Sequence, residues 1–254
     1  MSNDGIENVG VIILAAGLGT RMKSDKAKVL HPILGRPMID YVLSAACEVT
    51  DQDVVVVVGH QADLVREACL RVRSVNFALQ QKQLGTGHAV LCAMPEVRDS
   101  VQHVIILCGD VPLLRPKTIQ ALLNDHILAN RDLSLLAVAL ENPTGYGRVI
   151  MNADRKLSRI VEEADATDEQ KKIKLINTGI YCVSRTFLST SLNEIRPDNA
   201  QGEFYLTDII EVGYRMRKHI GVLVGSDAGE VSGVNTVADL KAVESLMAGR
   251  GEKP

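Results

Sequence analysis

Val9-Gly-Val-Ile-Ile-Leu-Ala-Ala-Gly-Leu-Gly-Thr-Arg-Met22 decides the reading of this chain. Its first half is a continuous apolar, β-branched run, the pattern of a strand buried on both faces. Its second half breaks into two glycines and an arginine, beyond the carboxyl end of that strand, where open α/β sheets bind ligands. Glycines there let backbone N–H groups approach phosphate oxygens, but the same residues also make an ordinary tight turn, and the motif alone leaves both readings open. Met22 stands where the dinucleotide fingerprint has its third glycine, and no G-x-x-x-x-G-K-[ST] occurs. Dehydrogenase and P-loop readings are therefore both weakened.

Outward from this stretch the alternation continues. Residues 9–15, 53–59, 75–79, 103–108, 134–139, 176–183 and 220–224 read as strands, and residues 37–47, 61–72, 86–94, 117–129, 186–195, 207–218 and 237–247 as amphipathic helices. The expected fold is α/β: a Rossmann-like, mostly parallel mixed sheet flanked by helices. Regularity weakens after Leu140, where Asn-Pro-Thr-Gly-Tyr-Gly (142–147) forms a turn cluster and a charged stretch (165–174) follows, as in a small lobe spanning about 140–220. We expect residues 1–8 to be disordered, 9–248 to form one domain and 249–254 to be a tail.

Composition narrows the function. The 254 residues carry 28 basic and 31 acidic side chains, a formal charge of −3, and only 3% aromatics with no Trp. Neither a general nucleic-acid or membrane-surface field nor a stacking platform for single strands is present, so an anionic ligand must be held locally. Cys47, Cys69, Cys92, Cys108 and Cys182 are odd in number and form no C-x-x-C pair, which argues against a disulfide framework and a zinc site. With no long apolar segment, these features give the expectation of a cytoplasmic protein that binds no membrane.

Four segments could carry chemistry. Lys23, Lys26 and Lys28 follow Arg21 closely enough for one or two to join it on one anion, or simply to solvate a loop. Asp110 follows Cys108-Gly109 at the end of an apolar run, which puts it on the same rim as Arg21, as a Mg²⁺ ligand or a turn residue. Asn235, after Gly233-Val234, offers a second oxygen or marks a turn. Gln80-Gln-Lys-Gln-Leu-Gly-Thr-Gly-His88 reads as a polar strand-to-helix connection with Thr86 as the cap, though its glycines and amides could also meet a flat base. No H-E-x-x-H or G-x-S-x-G occurs, and Glu162 and Glu163, being adjacent, point to opposite faces of a strand rather than forming a carboxylate pair.

Taken in order, Leu14–Met22 with Lys28, Gln80–His88, Gly109–Pro112, Asn142–Arg148, Ile160–Glu162, Asn177–Gly179, Glu203–Asp208 and Gly233–Asn235 resemble the sugar-phosphate nucleotidyltransferases. Gln-Leu-Gly-Thr-Gly-His-Ala and Asn-Pro-Thr-Gly-Tyr-Gly-Arg resemble the uridyltransferase branch that makes UDP-N-acetylglucosamine. The likeness runs from about residue 9 to 240. It implies the nucleotide-diphospho-sugar transferase fold with a sugar-binding lobe, and small-molecule substrates: UTP and N-acetylglucosamine 1-phosphate. It implies that Leu14, Ala15, Ala16, Gly17, Gln80, Gly85 and Thr86 hold the uridine, that Arg21 and Lys28 grip the triphosphate, and that Asp110 and Asn235 ligate Mg²⁺. Gly147, Glu162, Asn177 and Thr178 would bind the acetylated sugar. Cys108 departs from the Tyr of the best-known members, and residues 151–159 run one residue longer than theirs. A chain of this length lacks the acetyltransferase β-helix of the bifunctional members, so the resemblance gives the expectation of a monomer or weak oligomer without acetyl transfer. The same architecture with another hexose 1-phosphate or nucleotide, and a silent module that binds sugar nucleotides, are the rival readings.

Overall fold

The computed structural model describes residues 8–50 and 53–249. In chain order the strands are β1 (Val9–Leu14), β2 (Pro32–Ile33), β3 (Arg36–Pro37), β4 (Val54–Val58), β5 (Asn76–Leu79), β6 (His103–Cys108), β7 (Leu133–Ala139), β8 (Arg148–Met151), β9 (Leu157–Val161), β10 (Leu175–Ser184) and β11 (Ile220–Val224). The helices are α1 (Met38–Cys47), α2 (Ala62–Val72), α3 (Thr86–Ala93), α4 (Pro116–Leu128), α5 (Asp168–Lys171), α6 (Arg185–Leu192), α7 (Asp208–Arg215) and α8 (Val237–Gly249).

The main sheet runs in the order β11-β7-β10-β6-β1-β4-β5, and along it only the two ladders of β10 are antiparallel. β8 pairs with β10, and β9 with β8. From β1 the chain steps outward through β4 to β5, then returns to the other side of β1 as β6. That reversal opens a crevice beyond the carboxyl ends of β1 and β6, the topological switch point at which such sheets bind ligands.

The all-valine β4 is buried along its whole length, as its unbroken apolar run requires. Alternate side chains feed two cores: Ile13, Val56 and Ile105 pack in the cluster that includes Val42, Val65 and Leu122 of the helices, while Ile12, Val57 and Ile106 pack with Val90, Phe187 and Ile209. Burying each such side chain fully stabilises by roughly 1.5–3 kcal/mol relative to exposure. A smaller cluster of Ile33, Met38, Leu113, Val243 and Met247 ties α8 to the β2–β3 hairpin.

All seven expected strands and all seven expected helices form, with ends that match or move by at most three residues. The β2–β3 and β8–β9 hairpins and the single turn α5 were not expected, because elements of two to five residues are too short to show a period. Two terminal expectations need correction. Asn8, placed with the disordered N-terminus, accepts from the N–H groups of Gln102 and His103 at 2.8 and 3.1 Å. Gly249, placed in the tail, is the last residue of α8. Residues 1–7 and 250–254 lie outside the described residues. Among the described residues no helix is long and apolar enough to cross a membrane.

Candidate active site

A cleft of about 450 Å³ occupies the switch point, lined by Leu14, Ala15, Ala16 and Gly17 at the end of β1, by Cys108 and Asp110 at the end of β6, and by Lys28, Gln80, Gly85 and Thr86. A 3-10 turn over Thr20–Met22 carries Arg21 and another over Lys28–Leu30 begins with Lys28, so the two cations reach the mouth from separate short elements. Arg21 donates to Oδ1 of Asn235 at 2.7 Å. The Lys28 ammonium pairs with the Asp110 carboxylate and also donates to Asn235 Oδ1 at 3.1 Å. Asn235 is fixed in turn by the start of α8, where its own N–H and that of Thr236 donate to Asp239 Oδ2 at 3.0 and 2.8 Å. The preceding Val234 N–H donates to the Asp110 carbonyl at 2.8 Å. The four polar residues expected at the phosphates and metal are thus brought together from three distant parts of the chain.

Asp110 and Asn235 suit a hard divalent cation. One carboxylate and one amide oxygen converge on the Lys28 ammonium, and the amide oxygen also accepts from Arg21. Mg²⁺ usually takes one or two protein oxygens and completes its shell with water and phosphate. Among the described residues no group of three or more His, Cys, Asp or Glu could hold a metal, so a dedicated all-protein cage is not on offer.

On the other wall, Gln80 is buried at 3% exposure; its Nε2 donates to the Gly85 carbonyl at 3.0 Å and lies 3.0 Å from His88 Nδ1. With the nitrogen turned inward, Oε1 is the atom left to accept from a ligand. Thr86 does not cap α3. Gly85 holds the cap position without a side-chain bond, and the Thr86 hydroxyl instead accepts from Leu206 N–H at 2.9 Å. Gln83 and Glu203 also line the cleft. Both lie inside the motifs at 80–88 and 203–208, where residue type alone assigns them no role.

The expected sugar-binding residues surround β10. A Cβ on Gly147 would stand 2.8 Å from Ile160 Cγ2 and 3.1 and 3.2 Å from the two carboxylate oxygens of Glu162, so a larger residue there would crowd both side chains. Burial pushes the Glu162 carboxyl above its ordinary value. Glu163 turns the other way, accepting from Gly145 N–H at 3.1 Å and from the Arg148 guanidinium at 2.7 Å. Arg148 is itself 1% exposed and also donates to the Tyr146 and Lys171 carbonyls. This buried pair, which no sequence signal had singled out, pins the 142–147 turn. The longer stretch before Glu162 contains a β-bulge, Ile150 facing Arg159 but Met151 facing Leu157, and such a bulge accommodates one extra residue in a hairpin.

Asn177 is half-buried, and its N–H donates to the Gly147 carbonyl at 2.9 Å. Thr178, expected beside it as a sugar ligand, is a correction: it is buried, and its hydroxyl donates to the Leu136 carbonyl at 2.7 Å and accepts from Ile180 N–H at 3.3 Å. Its polar group is committed to a bulge in β10, where the pairing to β7 shifts register between Asn177 and Tyr181. Cys108 joins the two halves. It lines the cleft, and its thiol, pushed up to about 12 by burial, lies 3.6 Å from the Gly179 carbonyl. Glu162 itself opens on a neighbouring cavity of about 570 Å³ with Asp165, Tyr205 and Asp208. Burial, followed by Glu211 and Glu162, pushes the Asp208 carboxyl up to about 6.

Comparison with known proteins places this geometry. Residues 11–176 match the model of the MobA-like NTP transferase domain. The bifunctional protein GlmU of Geobacter metallireducens is 47% identical over 237 residues, covering 92% of this chain and 49% of the relative. GlmU of Desulfotalea psychrophila is 42% identical over 239 residues, covering 94% of this chain and 70% of that protein. The chain spans about half the length of the first of these relatives. Among solved structures, a Bacillus anthracis protein described as a glucose-1-phosphate thymidylyltransferase, in complex with a sucrose, superposes with a TM-score of 0.69 over 94% of both chains. At 22% identity that likeness bears on the fold.

Proposed function

The chain belongs to the MobA-like NTP transferase domain family, and on that premise we propose that it transfers a uridylyl group from UTP to N-acetyl-α-D-glucosamine 1-phosphate, releasing UDP-N-acetylglucosamine and pyrophosphate. The observation that carries the reading is the meeting of Arg21, Lys28, Asp110 and Asn235 at the mouth of the glycine loop. A site built to hold nucleotide alone has no need of two cations and two hard oxygens in one place. Gln80 supports a uracil base, since its free Oε1 can accept from the ring N3–H, whereas cytosine presents an acceptor there. The 84–90 and 142–148 motifs, which resemble the N-acetylglucosamine branch, support the acetylated sugar, with Gly147, Glu162 and Asn177 as its binding groups. We take residues 8–249 as one cytoplasmic nucleotidyltransferase domain, a monomer or weak oligomer, whose lobe at about 140–220 holds the sugar.

The nucleophile is a phosphate oxygen of the sugar phosphate. A phosphate monoester with a second pKa near 6 is already mostly dianionic at neutral pH, so no side chain need remove a proton. The new P–O bond forms at the α-phosphorus of UTP as the α–β bridging bond breaks, and the electron pair leaves with pyrophosphate. The chain's task is to bring two polyanions together. The Arg21 guanidinium supplies a rigid fork and the Lys28 ammonium a mobile charge, and both must leave their resting partners, Asn235 and Asp110, to meet phosphate oxygens. Mg²⁺ held by Asp110 and Asn235 would supply further charge neutralisation at the phosphates. The test is to mix the protein with UTP, Mg²⁺ and N-acetylglucosamine 1-phosphate and follow UDP-N-acetylglucosamine and pyrophosphate. Preferential turnover of another pair in a panel of nucleotides and sugar phosphates would replace the substrates proposed. Nucleotide binding without turnover of any pair would overturn the reading.

A further inference from the structure

The bulge in β10 does more than absorb Thr178. Gly179, at φ +78, adopts a backbone conformation that favours glycine, and so turns its N–H back onto the Asn177 side chain at 2.9 Å. The Tyr181 hydroxyl donates to the same Asn177 atom at 2.9 Å. A backbone N–H can only donate, so the atom it meets must be the amide oxygen, and this fixes which way the Asn177 amide faces. Nδ2 is then turned away from both, with no protein acceptor among the described residues. Asn177 N–H donates to the Gly147 carbonyl, which puts Asn177 beside the residue against which the Glu162 carboxylate packs. Tyr181 is 1% exposed, lies on the strand that pairs with β6 at Ile106, and meets the site through its hydrogen bond to Asn177.

We propose that Tyr181 is a positioning residue for the sugar phosphate: its hydroxyl locks the Asn177 amide so that Nδ2 is presented as a donor to a substrate oxygen, next to the Glu162 acceptor. This rests on the reading of Asn177 as a sugar-binding group. Without the hydroxyl, only the bond from Gly179 restrains the amide, whose orientation is then less tightly held, which would set donor and acceptor against the wrong sugar atoms for part of the time. Phenylalanine at 181 keeps the buried ring and leaves no orphaned donor.

The test compares the parent with Tyr181→Phe. The loss of one such hydrogen bond should raise KM for N-acetylglucosamine 1-phosphate about five- to tenfold, while KM for UTP and kcat stay within about twofold. Side-chain amide spectra of protein labelled with ¹⁵N at asparagine should show the Asn177 signal resolved in the parent and broadened or shifted in the variant. An unchanged sugar-phosphate KM, or an equal rise in both KM values, overturns the proposal, and so does an unperturbed Asn177 amide. Should the parent turn over no substrate pair, the functional reading fails by itself, and the amide spectra still decide the role of Tyr181.

Discussion

Replacing Arg21 by alanine separates catalysis from folding. The side chain is exposed, and so is its hydrogen bond to Asn235 at 2.7 Å. A surface substitution of this kind should change stability by no more than about 0.5 kcal/mol. Turnover should respond very differently. A preorganised charge aimed at developing phosphate charge typically contributes 10²–10³ in rate, or about 2.7–4 kcal/mol of barrier. Arg21 stands on the loop after β1, whereas Gly147, Glu162 and Asn177 lie on or beside β8, β9 and β10, so the loss should fall on kcat far more than on KM for the sugar phosphate. Steady-state kinetics of pyrophosphate release with each substrate varied in turn, alongside urea denaturation, checks both halves. Near-normal turnover with UTP would refute the role given to Arg21, and a loss appearing mainly in the sugar-phosphate KM would show that it serves the other substrate. Lys28→Ala provides the contrast. Its ammonium is the partner of a partly buried carboxylate, so that variant should lose stability as well as rate.

Asp110→Ala should abolish the response to Mg²⁺; ordinary Mg²⁺-dependent pyrophosphate release from that variant would remove Asp110 from the metal site. Glu163→Ala strands the buried Arg148 guanidinium. Breaking a fully buried pair costs roughly 3–5 kcal/mol, but the Glu163 side chain is 32% exposed and Arg148 keeps its carbonyl acceptors. About 2 kcal/mol by urea denaturation is therefore expected, and a change near zero would show that the 142–147 turn is held by something else. His126 is fully buried against the His103 ring, with Ser134 Oγ 3.1 Å from Nδ1. Burial foremost, then the neighbouring His103 and Arg131, pushes it down to about 4. The folded protein therefore keeps this ring neutral while the unfolded chain takes up a proton below about pH 6.5, so its contribution is complete above pH 6.5 and lost as pH falls through about 4. Between pH 7 and 5 the loss should be about 2 kcal/mol. Asp208, pushed up to about 6, titrates in the same window with the opposite sign, because its proton is held in the folded state. The measurement is thus a comparison of slopes: His126→Gln should flatten the parent's fall in stability, and equal slopes would count against the assignment.

What the sequence made legible follows from how each feature is encoded. β1, β4 and β6 are unbroken apolar runs, and burial on both faces leaves such a run no other place to go. Once they are strands, residues just beyond their carboxyl ends must share a rim, which is why Arg21 and Asp110 could be grouped before any coordinates. Asn235 could not be placed that way, because its meeting with Arg21 spans 214 positions and depends on the start of α8 docking onto Asp110. Side-chain direction was the least readable quantity. Asn177 and Thr178 are neighbours of similar polarity in one motif, yet one keeps an amide nitrogen free and the other gives both hydrogen-bonding functions of its hydroxyl to the backbone. No periodicity distinguishes them, since a bulge breaks the period-two rule where they stand. The difference is written instead in Gly179 and Tyr181, two residues whose types make sense only once the bulge is known. A motif read as ligands in a row is, at this strand, one side chain with a free amide nitrogen and the scaffold that aims it.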